Sequence, residues 1–290
     1  ALACCSAGGP GPSKLGSQKP GGSALNCRLD LLQFDIAAAA GWYSAIAGLL
    51  AGFALLAILL PLDHEAVQDE DRSIADSIVV FTCAFFALLV LSFNYAGLSG
   101  RPSDGAAAGV AAHEQFLFGA VFGLASLLLL FGLRAVIKSY GANAVVFAAA
   151  RDSMQVVTAL LGPILALSLQ FSNALDLERV RLEQSADTTA SCGPGGIPSG
   201  VWINLSISVI SILAVLILAV FRRRLHQNVG APALVAKGVL VVGVAVTVWT
   251  SFAVPLLPGS YIAGAVFEHV ALLAFGVATV VVSAAAWSAR

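Results

Sequence analysis

The run GWYSAIAGLLAGFALLAILL occupies Gly41 to Leu60 and contains no charged residue. A helix that crosses the hydrocarbon core of a bilayer needs about 20 apolar residues, because each residue rises about 1.5 Å. This run therefore predicts a membrane-spanning helix. The rest of the chain has the same character, since 59% of its 290 residues are hydrophobic and only 11% are charged. Soluble domains carry about 25% charged residues, so lipid is the expected solvent for most of this surface.

Six further apolar runs have a similar length and composition, and none shows the alternation of a barrel strand. A lipid-exposed backbone must satisfy its hydrogen bonds within the segment, so each run predicts a helix. The seven predicted spans cover residues 36–60, 77–98, 115–137, 154–173, 201–221, 235–256 and 261–287. The expected fold is an all-α polytopic membrane bundle over residues 34–290. The lipid bilayer is its first expected partner.

Residues 1–33 differ from the rest of the chain in composition. The segment GGPGPSKLGSQKPGGS, Gly8 to Ser23, is rich in Gly, Pro, Ser and Lys. Such a segment cannot bury a hydrophobic core. We therefore predict a flexible N-terminal tail ahead of the bundle.

The five cysteines lack the CxxC or His/Cys spacing of a zinc site, and no metal or cofactor is expected. Cys83 lies in an apolar run and is expected to be a small packing residue. A disulfide between Cys27 and Cys192 would tie the tail to the largest loop. Free thiols at both positions are an equal alternative.

The distribution of basic residues predicts an orientation, because Lys and Arg accumulate in cytoplasmic loops. Seven spans place nine basic residues on the side of the C-terminus and six on the side of the N-terminus. The segment FRRR, Phe221 to Arg224, is the strongest signal. We expect a plasma-membrane protein with its N-terminus outside and its C-terminus in the cytoplasm. A net charge of −1 argues against nucleic acid as a partner.

Apolar side chains gain no hydrophobic free energy when they leave lipid for one another, so helix association in a membrane relies on close packing at small residues. Small residues at four-residue spacing therefore predict close contacts between helices. Ser44, Gly48 and Gly52 form one such stripe in the first span. Gly119 and Gly123 form a GxxxG stripe in the third span. These stripes fit an internal contact and a contact between copies equally well.

The fourth span contains a Gly162–Pro163 pair. Proline lacks a backbone N–H and its ring clashes with the preceding turn. The pair is therefore expected to bend or interrupt this helix, most simply as a packing kink.

Ionisable residues at membrane depth are costly and mark pathways or pairs. The segment GAVFEHVALLAFG places Glu268 and His269 inside the last apolar run, about 10–12 Å below its predicted outer end. The topology brings His113, Glu114 and Asp35 to the same outer half. These five residues are the candidate site.

The sequence leaves two main interpretations of this site. Adjacent helical residues point about 100° apart, so Glu268 and His269 address different neighbours. If the third and seventh spans pack together, Glu268 would meet His113 and His269 would meet Glu114. Such pairs could simply lock two helices together, or they could exchange protons or small ions, because histidine titrates near neutral pH. A metal site is a third, weaker alternative, because the ligand spacing forms no motif.

Several classes of seven-span protein are excluded by the residues. A retinal protein needs a lysine in the middle of the last span, which holds none. A common G-protein-coupled receptor carries a DRY-like triplet after the third span and NPxxY in the seventh. Both motifs are absent here, since the third span ends LRAVIKSY and the last ends VVVSAAAWSAR. No P-loop, GxSxG or HExxH motif occurs. We therefore expect a protein that is not an enzyme.

Two segments carry a resemblance to other proteins. YSAIAGLLAGFALLAILL, Tyr43 to Leu60, and FLFGAVFGLASLLLLFGL, Phe116 to Leu133, resemble uncharacterised multipass membrane proteins of high-GC, actinobacterial-type bacteria. The resemblance covers mainly the first three spans and implies no activity. The favoured function is a membrane anchor or docking subunit with protein partners or self-association. The alternative is a proton or small-ion channel or transporter.

Overall fold

The computed structural model describes residues 35–63, 71–102, 105–139, 152–184, 196–221 and 231–288. Within these ranges the regular secondary structure is helical, and seven helices are long and apolar enough to cross a membrane. We label them α1 to α7. Their bounds are Ile36–Asp63, Asp71–Ser99, Ala108–Ser139, Asp152–Gln184, Ser199–Val220, Ala231–Val248 and Ala265–Ser288. The predicted all-α membrane bundle is confirmed.

The helices run alternately up and down, and we call the end at which α1 begins the upper end. A 3₁₀ turn, Gly105–Ala107, precedes α3 at this end. After α6 the chain continues through a π-helical turn, Trp249–Ala253, and a 3₁₀ turn, Val254–Leu256. The predicted flexible tail and both residues of the predicted disulfide, Cys27 and Cys192, lie outside the described residues.

α3 is the central helix of the bundle. Of its most apolar segment 78% is buried, against 22% for the corresponding segments of α1, α5 and α6. It packs against α1, α2, α4, α6 and α7. The helices around it carry large exposed apolar side chains such as Trp42 and Phe252, as expected of surfaces that contact lipid. Cys83 is buried and has a free thiol, as predicted for a packing residue.

Two residues of the predicted stripe, Ser44 and Gly48, lie at the contact between α1 and α2. Ser44 Oγ donates to the Ser92 carbonyl and Ser92 Oγ donates to the Ser44 carbonyl, each at 2.9 Å. Gly48 lies against the same serine, because a Cβ there would be 3.2 Å from Ser92 Oγ. Gly52 is exposed, and a Cβ there would meet no atom within 4 Å. Gly52 therefore takes no part in the contact between α1 and α2.

The physical reason is the helical period. Four residues turn about 400°, so two such steps move a residue roughly 80° away from the contact line. The line that faces α2 alternates steps of three and four residues, as in a heptad pattern. The buried residues Ala47, Ala51 and Ala54 follow it.

The Gly119 and Gly123 stripe packs inside the chain, on α4. A Cβ on Gly119 would collide with the side-chain amide of Asn173. A Cβ on Gly123 would lie 3.2 Å from the Cβ of Ala166. The stripe therefore allows α3 and α4 to approach closely, and in this structure it serves an internal contact.

The predicted interruption of α4 is confirmed. Val157–Leu161 form a π-helical turn directly before Gly162 and Pro163. Because Pro163 has no N–H, the carbonyl of Ala159 one turn earlier lacks its usual helical partner. Ser283 Oγ of α7 donates to this carbonyl at 2.8 Å, and both residues are fully buried. The interruption thus creates a specific contact between α4 and α7.

Removing this donor should destabilise the protein. We expect Ser283→Ala to lower the free energy of unfolding by about 1–3 kcal/mol, because the Ala159 carbonyl would be left buried without a partner. Ser168→Ala is the matched control, since Ser168 is exposed and its hydroxyl donates to the Ile164 carbonyl of its own helix. Denaturant titration in detergent micelles measures both. Equal effects of the two substitutions would contradict this account of the contact.

Candidate functional site

Glu268 lies in the first turn of α7, which begins at Ala265. The sequence had predicted a span from residue 261 and hence a depth of about 10–12 Å for Glu268. The hydrogen bond from the Tyr261 N–H to the Pro258 carbonyl, 2.8 Å, instead holds a turn there. Glu268 is therefore only about 4–5 Å along the helix. Its side chain is nonetheless fully buried.

Two helices supply the partners of Glu268. Arg181 Nη2 of α4 donates to one carboxylate oxygen, and Asn204 Nδ2 of α5 donates to the other. Asn204 Oδ1 lies 2.9 Å from His269 Nδ1, so a single amide bridges both residues of the pair. The Glu268–His269 pair therefore joins α7 to α4 and α5.

Arg181 is the centre of this arrangement. Its Nη1 donates to Glu178, one turn earlier on α4. Its Nε and Nη2 also donate to the Ala263 carbonyl, at 3.2 and 3.0 Å. We name the set Glu178, Arg181, Asn204, Glu268 and His269 the polar clasp. One guanidinium in this set stands between two buried carboxylates.

Two local features build the clasp. α4 runs to Gln184, well past the predicted end at residue 173, and so carries Glu178 and Arg181 up to α7. α5 begins at Ser199, and a Cβ on Gly200 would collide with the Glu178 carboxylate. Glycine at this position thus lets the carboxylate approach the backbone closely.

His113 lies outside the clasp. It is fully buried, and its Nε2 accepts from Trp249 Nε1 at 3.3 Å. Its ring packs against Tyr261 and Phe267, with centroid distances of 5.8 and 5.1 Å. The expected His113–Glu268 pair was wrong. α3 and α7 do meet, but through Phe267, because the Glu268 side chain turns toward α4 and α5.

Glu114 also takes a different partner from the one expected. Both of its carboxylate oxygens accept from Arg101 Nη1, at 2.7 and 2.9 Å. Arg101 lies two residues past the end of α2, so this bond links the α2–α3 connection to the start of α3. The expected His269–Glu114 pair does not form, since His269 bonds to Asn204 instead.

Asp35 caps the start of α1. Its Oδ1 accepts from the Ala38 N–H at 3.1 Å, and the residue is exposed. A side-chain oxygen in this position satisfies one of the free N–H groups of the first turn. Asp35 is therefore separate from the clasp.

A second polar group, which the sequence reasoning missed, lies between α3 and α4. Gln115 Nε2 donates to Asn173 Oδ1 at 3.3 Å and to Asp176 Oδ2 at 3.4 Å. Gln115 and Asn173 are 1% and 2% exposed, yet Gln115 Oε1 and Asn173 Nδ2 have no hydrogen-bond partner among the described residues. We name Gln115, Asn173 and Asp176 the amide site.

Arg181 and Glu178 were missed because residues 174–200 were interpreted as a loop with a charged helical start. The sequence does contain a signal that α4 continues. Ala174, Leu177 and Val180 recur every three residues, and all three are buried. This spacing is typical of an apolar helix face.

No three His, Cys, Asp or Glu side chains in the described ranges converge into a group suited to a metal ion. Comparison of the chain with family models, with curated proteins and with solved structures finds no match.

Proposed function

We propose that this chain is a non-enzymatic multipass membrane protein that acts as an anchor or docking subunit of a larger assembly. The polar clasp is the observation that supports this proposal. Both oxygens of Glu268 accept hydrogen bonds, and the guanidinium of Arg181 binds two carboxylates and a carbonyl. Because these groups are all hydrogen-bonded to one another, they hold α4, α5 and α7 in one fixed arrangement. A fixed arrangement of helices is suited to a scaffold.

The amino-acid pattern supports the same proposal. The segments outside the seven helices, residues 1–33, 64–70 and 185–195, are rich in turn-forming or charged residues suited to contact with other proteins. The excess of basic residues on the side of the C-terminus supports a plasma-membrane orientation with the N-terminus outside. Partners of the N-terminal tail and of residues 185–195 would then be outside the cell.

A quantitative test is the composition of the complex solubilised from its native membrane in mild detergent. We expect one or more proteins, or further copies of this chain, to co-purify in a constant molar ratio. Three variants test which segment binds the partner: removal of residues 1–33, replacement of residues 185–195 by a Gly/Ser linker, and neutralisation of Asp69, Glu70 and Asp71. At least one of them should lose the co-purifying partner. The thermal midpoint of each variant should stay unchanged. A monomer whose mass shows no partner would contradict the proposal.

The alternative function, proton or small-ion transport through the Glu/His residues, has a separate test. In proteoliposomes carrying a pH-sensitive dye, we expect the wild-type chain to give no more proton flux than empty vesicles. We also expect Glu268→Gln to behave in the same way. Flux in the wild type that is lost in Glu268→Gln would favour transport over anchoring.

A further inference from the structure

The chain has four tryptophans, and the structure describes all of them. Trp42, Trp202 and Trp249 are 74%, 39% and 42% exposed, whereas Trp287 is only 2% exposed. Each exposed tryptophan lies within about two turns of the upper end of its own segment, on α1, α5 and the π-helical turn after α6. Trp287 lies at the lower end of α7. The exposed tryptophans are therefore confined to one end of the bundle.

The three exposed tryptophans are spread around the bundle. α1 packs against α2 and α3, α5 packs against α4 and α7, and α6 packs against α2, α3 and α7. We name Trp42, Trp202 and Trp249 the upper belt. One partner helix would contact one or two neighbouring helices, whereas a bilayer surrounds the whole protein. The spread of the belt therefore fits a lipid surface.

The side chain of tryptophan suits one particular depth in a bilayer. Its ring is large and apolar, and its indole nitrogen carries a single N–H donor. Such rings collect at the level of the lipid headgroups, where one part of the ring is in apolar surroundings and the other is in polar ones. Three exposed tryptophans at one end of a membrane bundle therefore mark a boundary between hydrocarbon and headgroups.

Contacts within the protein place two members of the belt close to the level of the polar clasp. Trp249 donates to His113, whose ring packs against Phe267, and this residue directly precedes the part of the clasp on α7. Trp202 lies two residues before Asn204 of the clasp, a rise of about 3 Å. The boundary that the belt marks therefore passes near the clasp.

We propose that the upper belt binds the headgroup and glycerol region of a phospholipid leaflet, so that the polar clasp lies at this boundary and not in the hydrocarbon core. The exposed charged residues of the upper end agree with this placement. Asp35 precedes Trp42 by seven residues on α1, and Glu183 follows Arg181 of the clasp on α4. Both carboxylates thus lie on the water side. Ionisable groups cost less at this depth than at the bilayer centre.

The test uses four variants of the full chain that each keep one native tryptophan, with phenylalanine at the other three positions, in phosphatidylcholine vesicles. Bromine quenches tryptophan on contact. The lipid is brominated either at the sixth and seventh carbons of its acyl chain, near the headgroup, or at the eleventh and twelfth, near the bilayer centre. We expect Trp42, Trp202 and Trp249 each to lose more fluorescence with the shallow bromines. Trp287 should lose little with either lipid, because it is buried.

Val209→Trp provides a matched depth control on the same helix as Trp202. Val209 lies seven residues after Trp202, or about two turns, so it is on the same face of α5. It is 43% exposed and lies in the middle of α5. With phenylalanine at the four native positions, this variant should lose more fluorescence with the deep bromines.

Single substitutions in the otherwise native chain provide a second measurement that requires only one change. Trp42→Phe, Trp202→Phe and Trp249→Phe should each lower the fraction of the fluorescence that shallow bromines quench, while Trp287→Phe should raise it. The proposal is overturned if deep bromines quench Trp202 and Trp249 more than shallow bromines do, or if neither lipid quenches them more than Trp287.

Discussion

Replacement of Arg181 by methionine is expected to lower the free energy of unfolding by about 3–5 kcal/mol. The substitution keeps most of the side-chain volume and removes the charge. Glu178 and Glu268, which are 6% and 0% exposed, would then be buried without a cation. Breaking a buried ion pair by removing one partner is costly because the remaining charge stays desolvated. Titration with denaturant, followed by tryptophan fluorescence in micelles, measures the loss.

The neighbouring Arg179 offers a matched control for this prediction. Its ion-pair partner Glu183 has 58% of its side chain exposed, so this pair is weak, and the remaining charge of Asp176 near it is only part-buried. Arg179→Met should therefore cost clearly less than Arg181→Met. Adding Glu178→Gln and Glu268→Gln to Arg181→Met should recover part of the stability, since the uncompensated charges are gone. If Arg179→Met and Arg181→Met were equally destabilising, the clasp would not be the contact that holds α4, α5 and α7.

Gly119→Ala is expected to destabilise the bundle by about 1–3 kcal/mol. The added methyl group would collide with the amide of Asn173, which is itself buried and bonded to Gln115. Relief of the collision requires either a shift of α4 away from α3 or the loss of the Gln115–Asn173 hydrogen bond. Thermal unfolding in detergent, monitored by circular dichroism, should show a lower midpoint.

Gly52→Ala is the control for Gly119→Ala, because the same change is made in a helix where no atom lies within 4 Å of the new Cβ. Alanine is the better helix former by about 0.5–1 kcal/mol, so this variant should be neutral or slightly more stable. The two glycines look alike in the sequence, since each belongs to a stripe of small residues. A loss of stability in Gly52→Ala as large as in Gly119→Ala would contradict the packing described for α1.

The apolar runs predicted the helices closely, because each membrane span needs about 20 consecutive apolar residues. α1, α5 and α6 therefore begin and end within a few residues of their expected bounds as spans. α3 and α4 were predicted too short. Their extra turns at the upper end contain polar residues such as His113 and Glu178, which an apolarity criterion rejects. The polar side chains of those turns have hydrogen-bond partners: His113 accepts from Trp249, and Glu178 accepts from Arg181.

The candidate site was predicted only in part. Glu268 and His269 were identified because ionisable residues stand out in an apolar run. Their partners were assigned to α3, whereas they lie on α4 and α5. The choice depends on how each helix is rotated about its own axis. This rotation is set by side-chain packing over the whole bundle. The sequence of one helix does not contain that information.

The sequence by itself determined that this protein lies in a lipid bilayer, how many spans it has, and at which positions ionisable residues occur inside an apolar segment. These properties depend on local composition and length, and each can be read from a single run. Only the tertiary structure decided that Gly119 faces Asn173 while Gly52 faces outward, and that Arg181 neutralises Glu268. Contacts of this kind join residues far apart in the chain, and their selection depends on the simultaneous packing of several helices.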